Sequence, residues 1–146
     1  MKWFRIALIL VFLVITASFI LGAEKLYSYN LHILPINSEN CQSCHCSGYR
    51  FLCNYENMME YISETRESTK GIPLVVPGKP DSSVVIWRLE GRLPNGEEID
   101  SMPQNNDKLS EEKRQIYREW IEQGAVKSIV GVDDKKKWGQ IKKMFR

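Results

Sequence analysis

Ile6 to Leu21 is almost wholly apolar, broken only by Thr16 and Ser18, and follows a short lead that carries Lys2 and Arg5. A terminal run with no amphipathic face is expected to be an export signal over residues 1–23, in preference to a buried core helix. Leu21 stands where a small residue should precede a cleavage point at Ala23, so the pattern leaves cleavage open. Retained as a helix, Ile6 to Ala23 spans about 27 Å, just short of a hydrocarbon core of about 30 Å, and would serve as a membrane tether. Lys2 and Arg5 then stay on the cytoplasmic side and everything after residue 24 faces outward, which predicts a periplasmic or otherwise extracytoplasmic domain.

Beyond the leader the polarity becomes mixed. Residues 24–36 read as a linker that ends near Pro35, and folded sequence is expected from residue 37 to residue 126. Asn37 or Ser38 is expected to cap a short helix through the cysteine cluster, with Glu39 in its first turn. Tyr55 and Met59, and Met58 and Ile62, are four apart and predict a second helix over Tyr55 to Glu67. Gly71 to Pro80 reads as a fixed loop, Asp81 or Ser82 as the cap of a short helix ending near Leu89, and Gly91 to Asn106 as loop again. Ser110, with Glu111 and Glu112 in the first turn and Gly124 as terminator, marks the clearest helix. With no strand pattern or repeat, the expected class is all-α: a small helical domain with long, proline-pinned loops.

Composition sharpens this picture. The 146 residues are 43% hydrophobic and 26% charged, which suits one small domain. A net charge of +2 argues against a nucleic-acid partner, and the leader alone carries that surplus. Residues 24–126 carry minus five, whereas the tail over 127–146 has seven bases against two acids. Trp138, Ile141, Met144 and Phe145 lie among those lysines, a pattern that serves anionic lipid, an acidic partner, the domain itself or a solvated tail.

All four cysteines fall between positions 41 and 53, too clustered for a general disulfide framework, so they mark a local chemical site. The run Cys41-Gln42-Ser43-Cys44-His45 has the spacing of covalent haem attachment. Two thiols three apart on a helical turn can each add to a vinyl group of one porphyrin, and the next residue offers an imidazole to the iron. Random shuffling of this composition yields such a run roughly once in a thousand trials. The alternatives are a disulfide between Cys41 and Cys44, or a zinc site completed by Cys46 and Cys53. Thioredoxin-like chemistry would need a preceding strand, which the pattern lacks.

A haem iron held by His45 needs a sixth ligand. Met102, in the loop Asp100-Ser101-Met102-Pro103-Gln104, is the candidate, because the following proline restricts the backbone that must hold a weak thioether donor. Met58 and Met59 are expected in the core, Met144 in the tail, and His32 in the solvated linker. Arg88 or Arg50 is available to a haem propionate, although solvated surface arginine is an equal expectation. Tyr117 and Trp120 are expected in the core by ordinary helix packing.

From residue 38 to 126 the chain resembles the small c-type cytochrome domain called planctomycete-type. The resemblance is carried in order by Cys41-Gln42-Ser43-Cys44-His45, Ser47 to Phe51, Val76 to Ser83, Met102-Pro103, Leu109 to Glu112, and Trp120 to Ala125. It implies an all-helical class I cytochrome fold wrapped around one covalent haem c, thioethers at Cys41 and Cys44, axial ligation by His45 and Met102, and single-electron transfer to redox partner proteins without enzymatic turnover.

Two positions depart from that pattern: Cys46 replaces the usual glycine after the ligand histidine, and Gln104 stands where a second proline is common. In an oxidising compartment Cys46 can pair with Cys53, closing a loop of about eight residues and adding about 2.5 kcal/mol if unstrained. A structural bridge is expected in preference to a redox switch. The expected function is an exported monohaem electron carrier. The alternatives are a haem-based sensor whose Met102 is displaced by a small molecule, and a zinc-binding interaction domain.

Overall fold

A computed structural model of the chain describes residues 25–46, 51–64, 66–104 and 107–129. The leader over 1–23 and nearly all of the basic tail lie outside the described residues. No helix among the described residues is long and apolar enough to cross a membrane.

Folding begins earlier than the polarity pattern predicts. The stretch expected to be a linker over 24–36 holds a π-helical turn, Tyr29–Ile33, followed by helix α1, Leu34–Asn40. Ser28 caps the turn: its side chain accepts from Leu31 N, and its own N–H donates to His32 Nδ1 at 3.0 Å. Pro35 misleads as a boundary because it occupies the first turn of α1, where a helix has no use for a backbone N–H. Tyr29, Ile33 and Ile36 are buried in the core, so the folded unit starts near Tyr27 and not at residue 37. Asn37 is likewise no cap. It is fully buried inside α1, where its Nδ2 donates to the Leu52 carbonyl at 2.6 Å and its Oδ1 accepts from the Tyr117 hydroxyl.

At Cys41 the backbone leaves helical geometry (φ −125°, ψ −9°), and one short turn, α2, Gln42–His45, follows. Helix α3, Tyr55–Glu60, is capped by Asn54, whose side chain accepts from Asn57 N at 2.9 Å. It stops seven residues before the expected end at Glu67. Tyr61 is extended, and the chain doubles back so that Leu74 N reaches the Tyr61 carbonyl at 2.9 Å and Ser63 N the Ile72 carbonyl at 3.0 Å. The buried hydroxyls of Ser63 and Thr69, 2.8 Å apart, close this turn, an instance of short polar side chains competing with helix.

A single 3₁₀ turn, Pro80–Ser82, leads into α4, Val84–Glu90. The expected caps Asp81 and Ser82 give way to Ser83, which is buried and whose hydroxyl accepts from Val76 N and donates to the Lys79 carbonyl, both at 2.9 Å. Helix α5, Glu111–Glu122, matches its reading: Ser110 accepts from Lys113 N, two glutamates sit in the first turn, and Gly124 ends it at φ 96°. Among the described residues there are no strands, only the isolated bridges Ile62–Pro73 and Arg92–Glu98, so the class is all-α.

The core is built where α5 lays Tyr117, Trp120 and Ile121 against Tyr29, Ile33, Met58 and α4. Tyr29 donates its hydroxyl to the Leu52 carbonyl at 2.9 Å, and burial, with Glu56 adding repulsion, pushes its pKa from 10.0 to about 12. A raised tyrosine pKa means that the fold holds the neutral phenol. Stability from this group is therefore complete below pH 10 and is lost as pH rises through about 12, by up to about 3 kcal/mol. Urea unfolding across that alkaline range should show a steep decline that is shallower in Tyr29→Phe; an identical slope in the variant would remove Tyr29 from the account. Buried Tyr117 and half-buried Cys41, shifted in the same direction, add to the slope.

Candidate functional site

Helices α1 and α2 present the cysteine cluster, and α5 holds them in place. Lys113 on α5 pairs with Glu39 at 2.7 Å and approaches Asn40 Oδ1 at 3.5 Å, while the buried Tyr117–Asn37 bond fixes the same two helices from inside. The half-exposed ion pair adds little by itself. The buried bond matters more, because leaving either partner unsatisfied would cost about 1–3 kcal/mol.

Cys41 and Cys44 carry free thiols, three residues apart across the break between α1 and α2. Cys44 is exposed, with Ser43 Oγ 3.6 Å from its sulfur. Cys41 is half-buried, and burial, assisted by Cys44 and opposed by Lys113, pushes its pKa up to about 11. The bridge considered between these two cysteines is absent. Instead Cys46 and Cys53 are joined, with Cα atoms 5.3 Å apart, inside the range of about 4.4–6.8 Å that disulfides adopt. This pairing removes the two further thiolates a zinc site would have drawn on. Among the described residues no group of three or more His, Cys, Asp or Glu side chains gathers as a metal cluster.

His45 ends α2. Its ring lies 4.9 Å from Phe51, which stacks on Tyr61 at 4.2 Å, so an aromatic column backs the imidazole. Burial holds its pKa below the usual range, giving a neutral ring near pH 7, and its Nδ1 is buried with no hydrogen-bond partner among the described residues. A neutral imidazole is the form that ligates metals. Tyr61 carries no signal in the sequence pattern, where it falls inside the longer expected helix Tyr55 to Glu67. Phe51 stands in the pattern only as the end of the Ser47 to Phe51 motif.

The second half of the site is the loop after α4. Gly91 closes that helix at φ 70°, which strains any other residue, and a Cβ there would lie 3.1 Å from Ser101 Cβ and 3.2 Å from the Ile99 carbonyl, so a larger residue would make the returning segment of the loop shift. Ile99 N then donates to the Gly91 carbonyl at 3.0 Å and Met102 N to the Arg88 carbonyl at 2.7 Å. Met102 is half-buried and joined to Pro103 by a cis peptide bond. Backbone contacts thus fix this loop without help from the thioether.

A cavity of about 710 Å³ opens between the two halves, lined by Glu39, Asn40, Gln42 and Ser43 on one side and Pro103 and Asp107 on the other. It is a groove open to solvent, and Cys41, Cys44, His45 and Met102 are not among its described lining residues. The described lining is polar apart from Pro103.

Arg88 shares its backbone with the Met102 anchor. Its Nη1 is buried without a partner, the second such atom among the described residues, and Nη2 makes a long 3.4 Å contact with Thr69 Oγ1. Burial and then neighbouring Arg66 lower its pKa against the pull of Asp100. Arg50 lies outside the described residues. His32 is held by Ser28 and packs edge-on to Tyr27, in the folded N-terminal turn rather than in a solvated linker. The chain matches no family model, no curated protein and no solved structure.

Proposed function

We propose that the chain is an exported monohaem c-type cytochrome that carries single electrons between partner proteins and is held at the membrane by residues 6–23 when the leader is retained. The observation that carries this reading is the cavity whose wall joins the Cys-x-x-Cys-His turn, through Gln42 and Ser43, to the Met102-Pro103 loop. Further support comes from the cysteine chemistry: the Cys46–Cys53 bridge leaves Cys41 and Cys44 as the free pair at the spacing that thioether attachment needs.

The residues present fit the group. Cys41 and Cys44 would hold it covalently through thioethers. His45, neutral and backed by Phe51 and Tyr61, would supply a nitrogen to its iron, and Met102 a sulfur. When bound, the haem supplies a one-electron couple at iron. The chain's own residues orient and shield it: α5 braces the attachment turn, and Gly91 with Arg88 fixes the approach of the methionine loop. The unpaired Arg88 Nη1 is a donor available to a propionate. Gln42, Ser43 and Cys44 are exposed, so redox partners would approach from the attachment turn.

The deciding experiment is a pyridine haemochrome assay on denatured protein made with the c-type maturation machinery. One covalent haem per chain is expected, and its loss in a Cys41→Ala, Cys44→Ala double variant. Protein that leaves the maturing host without covalent haem overturns the reading.

A further inference from the structure

His45 sits on an element that does little to support itself. Its helix, α2, is a single turn of four residues with no side-chain cap and no buried residue. The amides of Cys44, His45 and Cys46 turn back to the carbonyls of Cys41, Cys41 and Gln42 at 3.3, 2.9 and 3.2 Å, so they shape the turn without tying it to the rest of the domain. One turn of helix is too short to hold its own shape in water. The imidazole adds a second difficulty, because its Nδ1 is buried with no hydrogen-bond partner among the described residues. A polar atom in that condition gains by turning out to water, so the observed ring position needs a restraint.

That restraint comes from one short segment, Phe51 to Cys53. Leu52, at its centre, is buried, and its carbonyl accepts two hydrogen bonds, from the Tyr29 hydroxyl at 2.9 Å and from Asn37 Nδ2 at 2.6 Å. Asn54, on the far side, is the cap of α3. Both neighbours of Leu52 reach back to the His45 turn. Phe51 lays its ring 4.9 Å from the imidazole and is itself stacked on Tyr61. Cys53 is bonded to Cys46, the residue directly after His45. The ring contact is non-covalent, and any rotation of α2 would change it. The bridge opposes such rotation, because it fastens Cys46 to a backbone anchored on both sides.

We propose that the Cys46–Cys53 disulfide is a positioning device for His45, passing the rigidity of the Leu52 anchor to the imidazole and keeping it against Phe51. The placement of the ring is independent of haem; its use, offering a prepared nitrogen to iron, rests on the haem reading above. A bridge that served stability alone would act by constraining the unfolded chain and would leave the folded surroundings of the imidazole unchanged. The two roles therefore separate by measurement.

The full chain carrying Cys41→Ala and Cys44→Ala, in detergent micelles, cannot hold haem covalently and retains Cys46 and Cys53 as its only cysteines. A small-molecule dithiol then acts on this bridge alone, becoming a cyclic disulfide as two protein thiols form. With the bridge closed, the His45 ring protons should be displaced in NMR from free-histidine positions by the Phe51 ring, and Phe51→Leu should remove that displacement. Reduction should return them to free-histidine positions while the indole N–H signals of Trp87 and Trp120 stay in place, and reoxidation should restore them. In the haem-loaded chain, Cys46→Ser with Cys53→Ser should raise the pH at which acid displaces His45, read as the low-spin to high-spin change, by about one unit, a tenfold weaker hold on the ring. Met58→Leu, a change confined to the core, should leave that pH where it is. His45 signals that are identical with the bridge open and closed overturn the proposal. Loss of the two indole signals on reduction also overturns it, since the bridge would then staple the whole fold. If the chain takes no haem, the NMR comparison decides by itself. If the chain without haem shows no folded spectrum even with the bridge closed, the loaded chain decides, and an unchanged acid transition there overturns the proposal. A chain that fails both ways holds no positioned imidazole, which overturns it too.

Discussion

Replacing Trp120 with alanine is expected to lower the unfolding free energy by about 3–5 kcal/mol, a large share of the roughly 5–15 kcal/mol that a domain of this size possesses. The indole is completely buried, lies 6.3 Å from the rings of both Tyr29 and Tyr117, and donates Nε1–H to the Val126 carbonyl at 2.9 Å. That carbonyl also accepts from Tyr29 N, so one side chain connects the last helix, the N-terminal turn and the segment after α5. Truncation would leave a cavity walled by rings that cannot easily collapse, in addition to the lost transfer energy. With a slope of about 1–3 kcal/mol per molar urea, the midpoint should fall by about 2 M. Trp120→Phe should recover most of this, losing chiefly the N–H bond. A Trp120→Ala loss below about 1 kcal/mol would mean that this junction repacks freely. In that case the bond from Tyr29 N to the Val126 carbonyl would not hold the two segments rigidly.

Trp120 was recognisable as core because α5 advertises itself locally: a serine cap, two glutamates in the first turn, apolar residues four apart, and a glycine stop. The Cys41 to His45 run is readable for a similar reason, its residues being contiguous. What escaped notice depends on partners distant in sequence. Asn37 looks like a cap in isolation and becomes a buried hub only because Tyr117 and Leu52 come to it. Tyr61 and Phe51 back His45 through a stack that no spacing encodes, and the reversal at Tyr61 depends on pairing with Leu74. The N-terminal turn was missed because Pro35 has two meanings, helix start and helix stop, and only the burial of Ile33 and Ile36 decides between them. The Met102 loop contributes Pro103 to the groove that Gln42 and Ser43 line, a neighbourhood that no local spacing encodes. Its anchoring through Gly91 and Arg88 had no signal beyond a glycine at a helix end.

On the haem reading, Met102→Ala is expected to abolish low-spin methionine ligation completely, with little change in the fold. The separation of these effects follows from how the loop is held. Met102 N bonds the Arg88 carbonyl and Ile99 N bonds the Gly91 carbonyl, both through backbone atoms that alanine retains. The thioether can thus be removed without releasing its loop, and the consequence should be spectroscopic. In the oxidised variant the sulfur-to-iron charge-transfer band should vanish, and in the reduced variant carbon monoxide should bind about tenfold faster or more, since a coordination position is opened. The reduction potential should fall, because a soft thioether favours the ferrous state. Met58→Leu is the control: Met58 is fully buried on α3, so its replacement should alter stability while leaving the spectrum unchanged. An unaltered spectrum in Met102→Ala refutes Met102 as the ligand. Fast carbon monoxide binding by the unmodified reduced protein points elsewhere. The methionine would then be readily displaced, and the chain would belong with haem-based sensors instead of electron carriers.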